Sequence, residues 1–145
     1  MQINPYLSFN GLCEAAFTFY ARVFGGQVGA LFRYAGSPMA EQAPPDWQDK
    51  VMHGSVTIGA LELNGADILP KHYEQPQGFS LSIQIKDATK AEQIFDELSR
   101  DGSVAMSLEN TFWAERFGMV TDRFGVSWMI NCEAESSATA ASPAT

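Results

Sequence analysis

Basic residues are scarce in this sequence. Nine Lys and Arg face seventeen Asp and Glu over 145 residues, a formal net charge of −8. Such a chain lacks the cationic stripe that a phosphate-backbone binder needs, so no nucleic-acid partner is expected. Apolar runs are short. None reaches membrane-spanning length, and nothing after Met1 reads as a secretory leader, so no membrane partner is expected. Cysteine is nearly absent: Cys13 and Cys132 lie far apart, with no C-x-x-C pair. That excludes a disulfide framework and a structural zinc, and makes a reduced cytoplasmic setting the default.

What is present is enough for one globular domain, with 46% apolar residues. From Glu133 to Thr145 only Ala, Ser, Thr, Glu and one Pro occur. That segment cannot bury enough apolar surface to offset its ordering entropy and is expected to be a disordered tail. Without Glu133 and Glu135 the charge of −8 becomes −6, so the acidity belongs to the folded body.

The body reads as strands and two helices. Tyr6 to Phe9 is a short strand. Asn10 stands where a helix cap would, Glu14 suits the positive end of the dipole, and Leu12, Ala16, Phe19, Tyr20 and Val23 recur at helical spacing. Gly25 and Gly26 end that helix. Val28 to Tyr34 is a strand, and Gly36 to Asp49, with three prolines, is a long loop. Val51 to Ile58 and Leu61 to Ile68 flank a Gly59-Ala60 turn. The order then restarts. Phe79 to Ile85 alternates as a half-buried strand. Asp87 can cap a helix with Ala91, Ile94, Phe95 and Leu98 on one face, and Asp101-Gly102 ends it. Val104, Met106 and Leu108 alternate in a further strand. Phe117 to Thr121 and Val126 to Asn131 are the last two.

The chain thus looks like β-α-β-β-β written twice. A shift of 76 positions carries Phe9 to Ile85, Phe19 to Phe95 and Gly26 to Gly102. The expected fold is α+β: two βαβββ modules, about 3–69 and 79–132 within a single domain 1–132, forming a curved mixed sheet around a cleft.

Four segments carry a resemblance: Tyr6–Tyr20 (YLSFNGLCEAAFTFY), Val51–Ser55 (VMHGS), Asn110–Asp122 (NTFWAERFGMVTD) and Phe124–Asn131 (FGVSWMIN). In order and spacing they resemble the PhnB-like proteins of the glyoxalase / bleomycin-resistance / extradiol-dioxygenase superfamily, the vicinal oxygen chelate proteins. The likeness covers roughly residues 3 to 132. It implies the paired-module fold and a homodimer. It also implies a mechanism in which a divalent ion, held by His and Glu from both modules, chelates adjacent substrate oxygens. Carried over residue by residue, the four ligand positions fall on Pro5, His53, Ser80 or Leu81, and Met129. Only His53 is a suitable donor, since a thioether is a soft ligand. No metal or other cofactor is therefore expected.

The candidate ligand-binding residues are His53, Phe112, Trp113, Arg116, Met129 and Asn131. His53 could be a pocket base or hydrogen-bond partner, or a buried histidine satisfied by the backbone. Arg116 between aromatics could clamp an anion while Phe112, Trp113 and Phe117 wall the site, or pair with an acid such as Glu115 or Asp122. Met129 and Asn131 share one face of the last strand, opposite Trp128 and Ile130. Cys13, in the first helical turn, could have its thiol pKa lowered by the dipole, or be simple core. The loop around Trp47 could be a lid or a dimer contact.

These features suggest a small-molecule binding protein that lacks the superfamily's metal centre. The alternative is a metal-dependent or His53-assisted isomerase, lyase or transferase. A methyltransferase is disfavoured, because Gly25-Gly26-Gln27-Val28-Gly29 follows a helix rather than the strand that a nucleotide-type cofactor loop follows.

Overall fold

The computed structural model describes residues 1–111, 114 and 116–133; Phe112, Trp113, Glu115 and the expected tail beyond Glu133 lie outside them. The chain divides into two compact units, Met1–Pro76 and the remainder from Gln77. In the first unit, β1 (Tyr6–Phe9), α1 (Cys13–Phe24), β2 (Gln27–Arg33), β3 (Val51–Ile58) and β4 (Leu61–Asp67) follow in order. Their sheet runs β1-β4-β3-β2, with β1 parallel to β4 and the other pairs antiparallel. In the second, β5 (Leu81–Ile85), α2 (Ala88–Ser99), β6 (Ser103–Glu109), β7 (Arg116–Thr121) and β8 (Ser127–Cys132) repeat the topology as β5-β8-β7-β6.

Up to the long loop the repeat keeps the 76-position shift to within one residue at every element end. The 76-position shift takes Gln27–Arg33 onto Ser103–Glu109, the full span of β2 onto that of β6. Beyond it the shift drops to 65, because residues 34–50 of the first unit answer to only 110–115 of the second. Those extra residues fold as a satellite core. Tyr34, Ala43 and Trp47 bury together, with Met52 and Leu69 packed against them. Trp47 is 7% exposed and meets Tyr34 edge-on at 6.4 Å, so its side chain serves the packing of its own unit.

Each helix covers one face of its sheet. In the first unit Leu7, Phe9, Val56 and Leu63 meet Ala16, Phe17 and Tyr20, all fully buried. A Cβ on Gly65 would lie 2.8 Å from the Phe17 ring, which marks the helix side of β4. In the second unit Val120, Ile130 and Cys132 are buried with Ala91, Ile94, Phe95 and Leu98 of α2. Burying each such aliphatic or aromatic side chain contributes about 1.5–3 kcal/mol. The turn from helix to strand is equally constrained. A Cβ on Gly26 would strike the Thr57 carbonyl, and one on Gly102 the Thr121 carbonyl, so both turns admit only hydrogen at that place.

Some local expectations are corrected. Asn10 does not cap α1. The helix opens after Leu12 without a side-chain cap from its own turn, and Asp67 at the end of β4 accepts the Cys13 N–H instead. Leu12 is 48% exposed, and Phe17 takes its place on the apolar face. Strand β5 begins at Leu81, leaving Phe79 exposed. Val104 and Met106 lie on edge strand β6, where register shifts interrupt the alternation and leave both exposed. Asp87 does cap α2, accepting from Thr89 and Lys90 N–H.

Candidate functional site

Strand alternation leaves each sheet a face turned away from its helix. In the first unit that face carries Tyr6 of β1, Asn64 of β4, Ser55 and His53 of β3, and Phe32 of β2. Tyr6 pairs with Asn64, Asn64 with Ser55, and Phe32 with His53. His53 lies between two rings. The Tyr6 ring centroid is 5.7 Å away, and Phe32 stacks at 6.3 Å and 30°. The Tyr6 hydroxyl is 3.2 Å from His53 Nδ1. Tyr6 and Phe32 are 52% and 56% exposed, so the rings around the imidazole are open to a ligand. Partial burial, and secondly Cys13, push the Tyr6 phenol above its ordinary pKa, so it stays protonated at neutral pH.

In the second unit the equivalent face carries Ser82 and Gln84 of β5, Met129 and Asn131 of β8, Phe117 and Met119 of β7, and Met106 of β6. Met106 pairs with Met119, Met119 with Met129, and Met129 with Ser82. Beside this row, Asn131 Nδ2 donates to Gln84 Oε1 at 2.7 Å, and Gln84 Nε2 donates to Ser82 Oγ at 2.9 Å. Asn131 Oδ1 is buried and has no hydrogen-bond partner. An acceptor left so costs about 1–3 kcal/mol unless something reaches it.

A cavity of about 540 Å³ opens on the helix side of the first unit, against Leu12, Glu14, Arg33, Lys50 and Asp67. Its cations are engaged: Arg33 forks onto Glu14 at 3.0–3.1 Å, and Lys50 Nζ donates to the Gly11 carbonyl at 3.0 Å. Asp67 is 1% exposed there, with Cys13 N–H on one oxygen and Val51 N–H on the other, each at 2.9 Å. Burial outweighs those two donors and raises its carboxyl pKa.

A family model described as 3-demethylubiquinone-9 3-methyltransferase matches residues 1–131. The chain belongs to that family. Protein YjdN of Escherichia coli K12 is 33% identical over 139 residues, covering 90% of this chain and 95% of that one. The solved structure of PA1353 from Pseudomonas aeruginosa is 45% identical with TM-score 0.82, over 92% and 98% of the two chains. A Bacillus cereus PhnB protein superposes with TM-score 0.79 at 23% identity, over 91% and 99%. The fold extends to a glyoxalase/bleomycin resistance protein/dioxygenase family enzyme from Burkholderia phytofirmans, at TM-score 0.60 and 12% identity, over 89% and 95%. The chain thus shares the fold of PhnB and of the glyoxalase/bleomycin resistance proteins, the fold that its sequence resemblance implied.

On this PhnB-like fold the four positions carried over from the superfamily separate. His53 faces away from the helix. Pro5 precedes β1 on the parity of the buried Leu7 and Phe9, and Leu81 pairs with buried Trp128 on the α2 side. The residues that share the open faces are Tyr6 and Ser82, and the 76-position shift relates them. Their register partners are Asn64 and Met129, related by the 65-position shift. Sequence reasoning passed over Tyr6; counting strand parity from Leu7 and Phe9 would have found it.

The other sequence candidates divide likewise. Met129 and Asn131 share the open face of the second sheet. Arg116 alternates with Phe117 and so points to the α2 side, where Nε donates to Glu92 at 3.2 Å and Nη1 to Asn110 at 2.6 Å. Glu92 of α2 is an acid it meets far from it in sequence, while Glu115 lies outside the described residues. Phe112 and Trp113 lie outside the described residues. Trp128 is core, its indole N–H donating to Asp122 at 2.9 Å. Cys13 and Cys132 are both buried. Burial first, then Asp67 and Glu14, push the Cys13 thiol well up, against the lowering that its place in the first helical turn suggested. No three of His, Cys, Asp and Glu gather into a metal-holding group among the described residues. No described helix is long and apolar enough to cross a membrane.

Proposed function

We propose that the chain is a small-molecule binding protein on the vicinal-oxygen-chelate scaffold, working without the superfamily's four-ligand metal centre and as a homodimer. The observation that carries this reading is His53 set between the half-exposed Tyr6 and Phe32 rings. Binding sites combine such aromatic walls with few polar groups that fix orientation. The donor set does not fit the superfamily's metal. Pro5 and Leu81 offer no ligand atom, Ser80 offers only a neutral hydroxyl, Met129 is a soft thioether, and His53 has a phenol at one nitrogen. A thermal-shift screen with planar aromatic compounds tests the proposal. A ligand that prefers the folded chain raises the melting point, and the rise should vanish in Phe32→Ala. A broad screen without any stabilising compound would contradict it. Light scattering tests the dimer.

A second reading, a His53-assisted enzyme, is favoured by the hydrogen-bond contact between Tyr6 and His53, which could relay a proton. Methyl transfer, the activity in the family model's description, finds less support. The β1–α1 connection has one glycine, Gly11, and the Gly25-Gly26 pair lies between α1 and β2. Neither makes the glycine-rich strand-to-helix loop of a nucleotide-type cofactor site.

A further inference from the structure

Tyr6 and His53 touch through a single pair of atoms, the phenol oxygen and Nδ1 at 3.2 Å. Two arrangements satisfy that contact. Either the phenol donates to an unprotonated Nδ1, or a protonated Nδ1 donates to the phenol oxygen. Chemistry separates them. Phenol is the better proton donor of the two, and an imidazole nitrogen is a far better acceptor than a phenol oxygen. The single proton of a neutral imidazole then sits on Nε2, where it is a hydrogen-bond donor.

The surroundings allow the reach. Strand β4 lies between β1 and β3 and carries the small, 3%-exposed Ala66, which pairs with Ser8 of β1. The Tyr6 side chain, paired across the strands with Asn64, reaches over β4 to His53. On the other side of His53, Phe32 stacks parallel enough to hold the imidazole plane. The ring is thus flanked by Phe32 on one side and met at Nδ1 by the Tyr6 hydroxyl on the other.

We infer that Tyr6 is a positioning residue that holds His53 as the Nε2–H tautomer, so that this face selects planar aromatic ligands bearing an oxygen acceptor, such as a carboxylate or carbonyl. The inference rests on the binding reading above and adds the polarity of the ligand. The rings supply the stacking surface, and Nε2–H supplies one directed donor.

The experiment uses the full chain labelled with ¹⁵N-histidine. Only His53 and His72 contribute signals, and His53→Gln assigns them. The expected spectrum, recorded at a pH where the imidazole is neutral, shows His53 Nδ1 as the unprotonated, pyridine-type nitrogen and Nε2 as the protonated one. Tyr6→Phe, which keeps the ring, should return His53 to a mixture of tautomers. A protonated Nδ1 in the native chain, or no change in Tyr6→Phe, overturns the inference. Binding is read with 2-naphthoate and naphthalene as probes. Naphthoate should bind more tightly, and Tyr6→Phe should reduce the preference for naphthoate over naphthalene about 3- to 10-fold, the effect of one hydrogen bond. Equal affinity for the two probes, or binding of neither, overturns the assigned ligand class. Stabilisation by donor-bearing aromatics alone would overturn it while leaving the binding reading intact.

Discussion

The carboxylate of Asp67 accepts the backbone N–H of Cys13 at 2.9 Å and so caps a helix 54 residues earlier in the chain. Its other oxygen takes the Val51 N–H where β3 begins. One side chain thereby ties the last strand of the first unit to the start of its helix and to the neighbouring strand. Asp67→Ala should leave both donors buried and unpaired, at about 2–4 kcal/mol together. Urea denaturation measures it.

The same carboxyl has a pH signature. Its folded pKa is raised, so between the ordinary carboxylate value and the raised one the folded chain holds a proton that the unfolded chain has released. Stability from this group is therefore complete below the ordinary value and is lost as pH rises through the folded one. Against Asp67→Asn, which does not ionise, the wild type should lose relative stability across that acidic-to-neutral window. A wild type that gains stability relative to Asp67→Asn as pH rises through that window would contradict the shift.

Cys13 and Cys132 should both be inert to a thiol reagent in the native chain and both react after denaturation. Each is fully buried, and Cys13 is further held protonated by burial beside Asp67. Reaction of a native thiol at the rate of a free one would contradict this.

Gly26→Ala and Gly102→Ala should each destabilise by about 1–3 kcal/mol, because a Cβ there meets a strand carbonyl that cannot move aside. Gly36, which has open space around it but φ of +78°, should lose less on the same change. Paired denaturation curves check the order.

Much of this architecture was legible in the chain. The shift that carries Gly26 to Gly102 marks two equivalent turns with the same steric reason for glycine, and it carries the whole of β2 onto β6. The apolar face of α2 was readable because Asp87 caps it locally. The start of α1 was not, because its cap is supplied from β4 and no nearby residue signals it. The pairing of Arg116 with Glu92 was hidden for the same reason, since Glu92 sits on the helix packed against that strand. At the site His53 was found from its family position, but its neighbours were not. An ungapped transfer stopped at Pro5 and at Ser80 or Leu81, short of the open-face Tyr6 and Ser82; sheet parity separates Pro5 and Leu81 from that face, and Ser80 lies before β5 begins.

The most direct test of the central claim is the metal content of untagged protein by elemental analysis, after incubation with Zn, Mn, Ni or Fe(II), repeated with His53→Ala. A binding face built from Tyr6, His53 and Phe32 without the superfamily's ion predicts only traces of metal, the same in both proteins. Near-stoichiometric metal that disappears in His53→Ala would contradict it and would place an enzyme with a metal-bound His53 first.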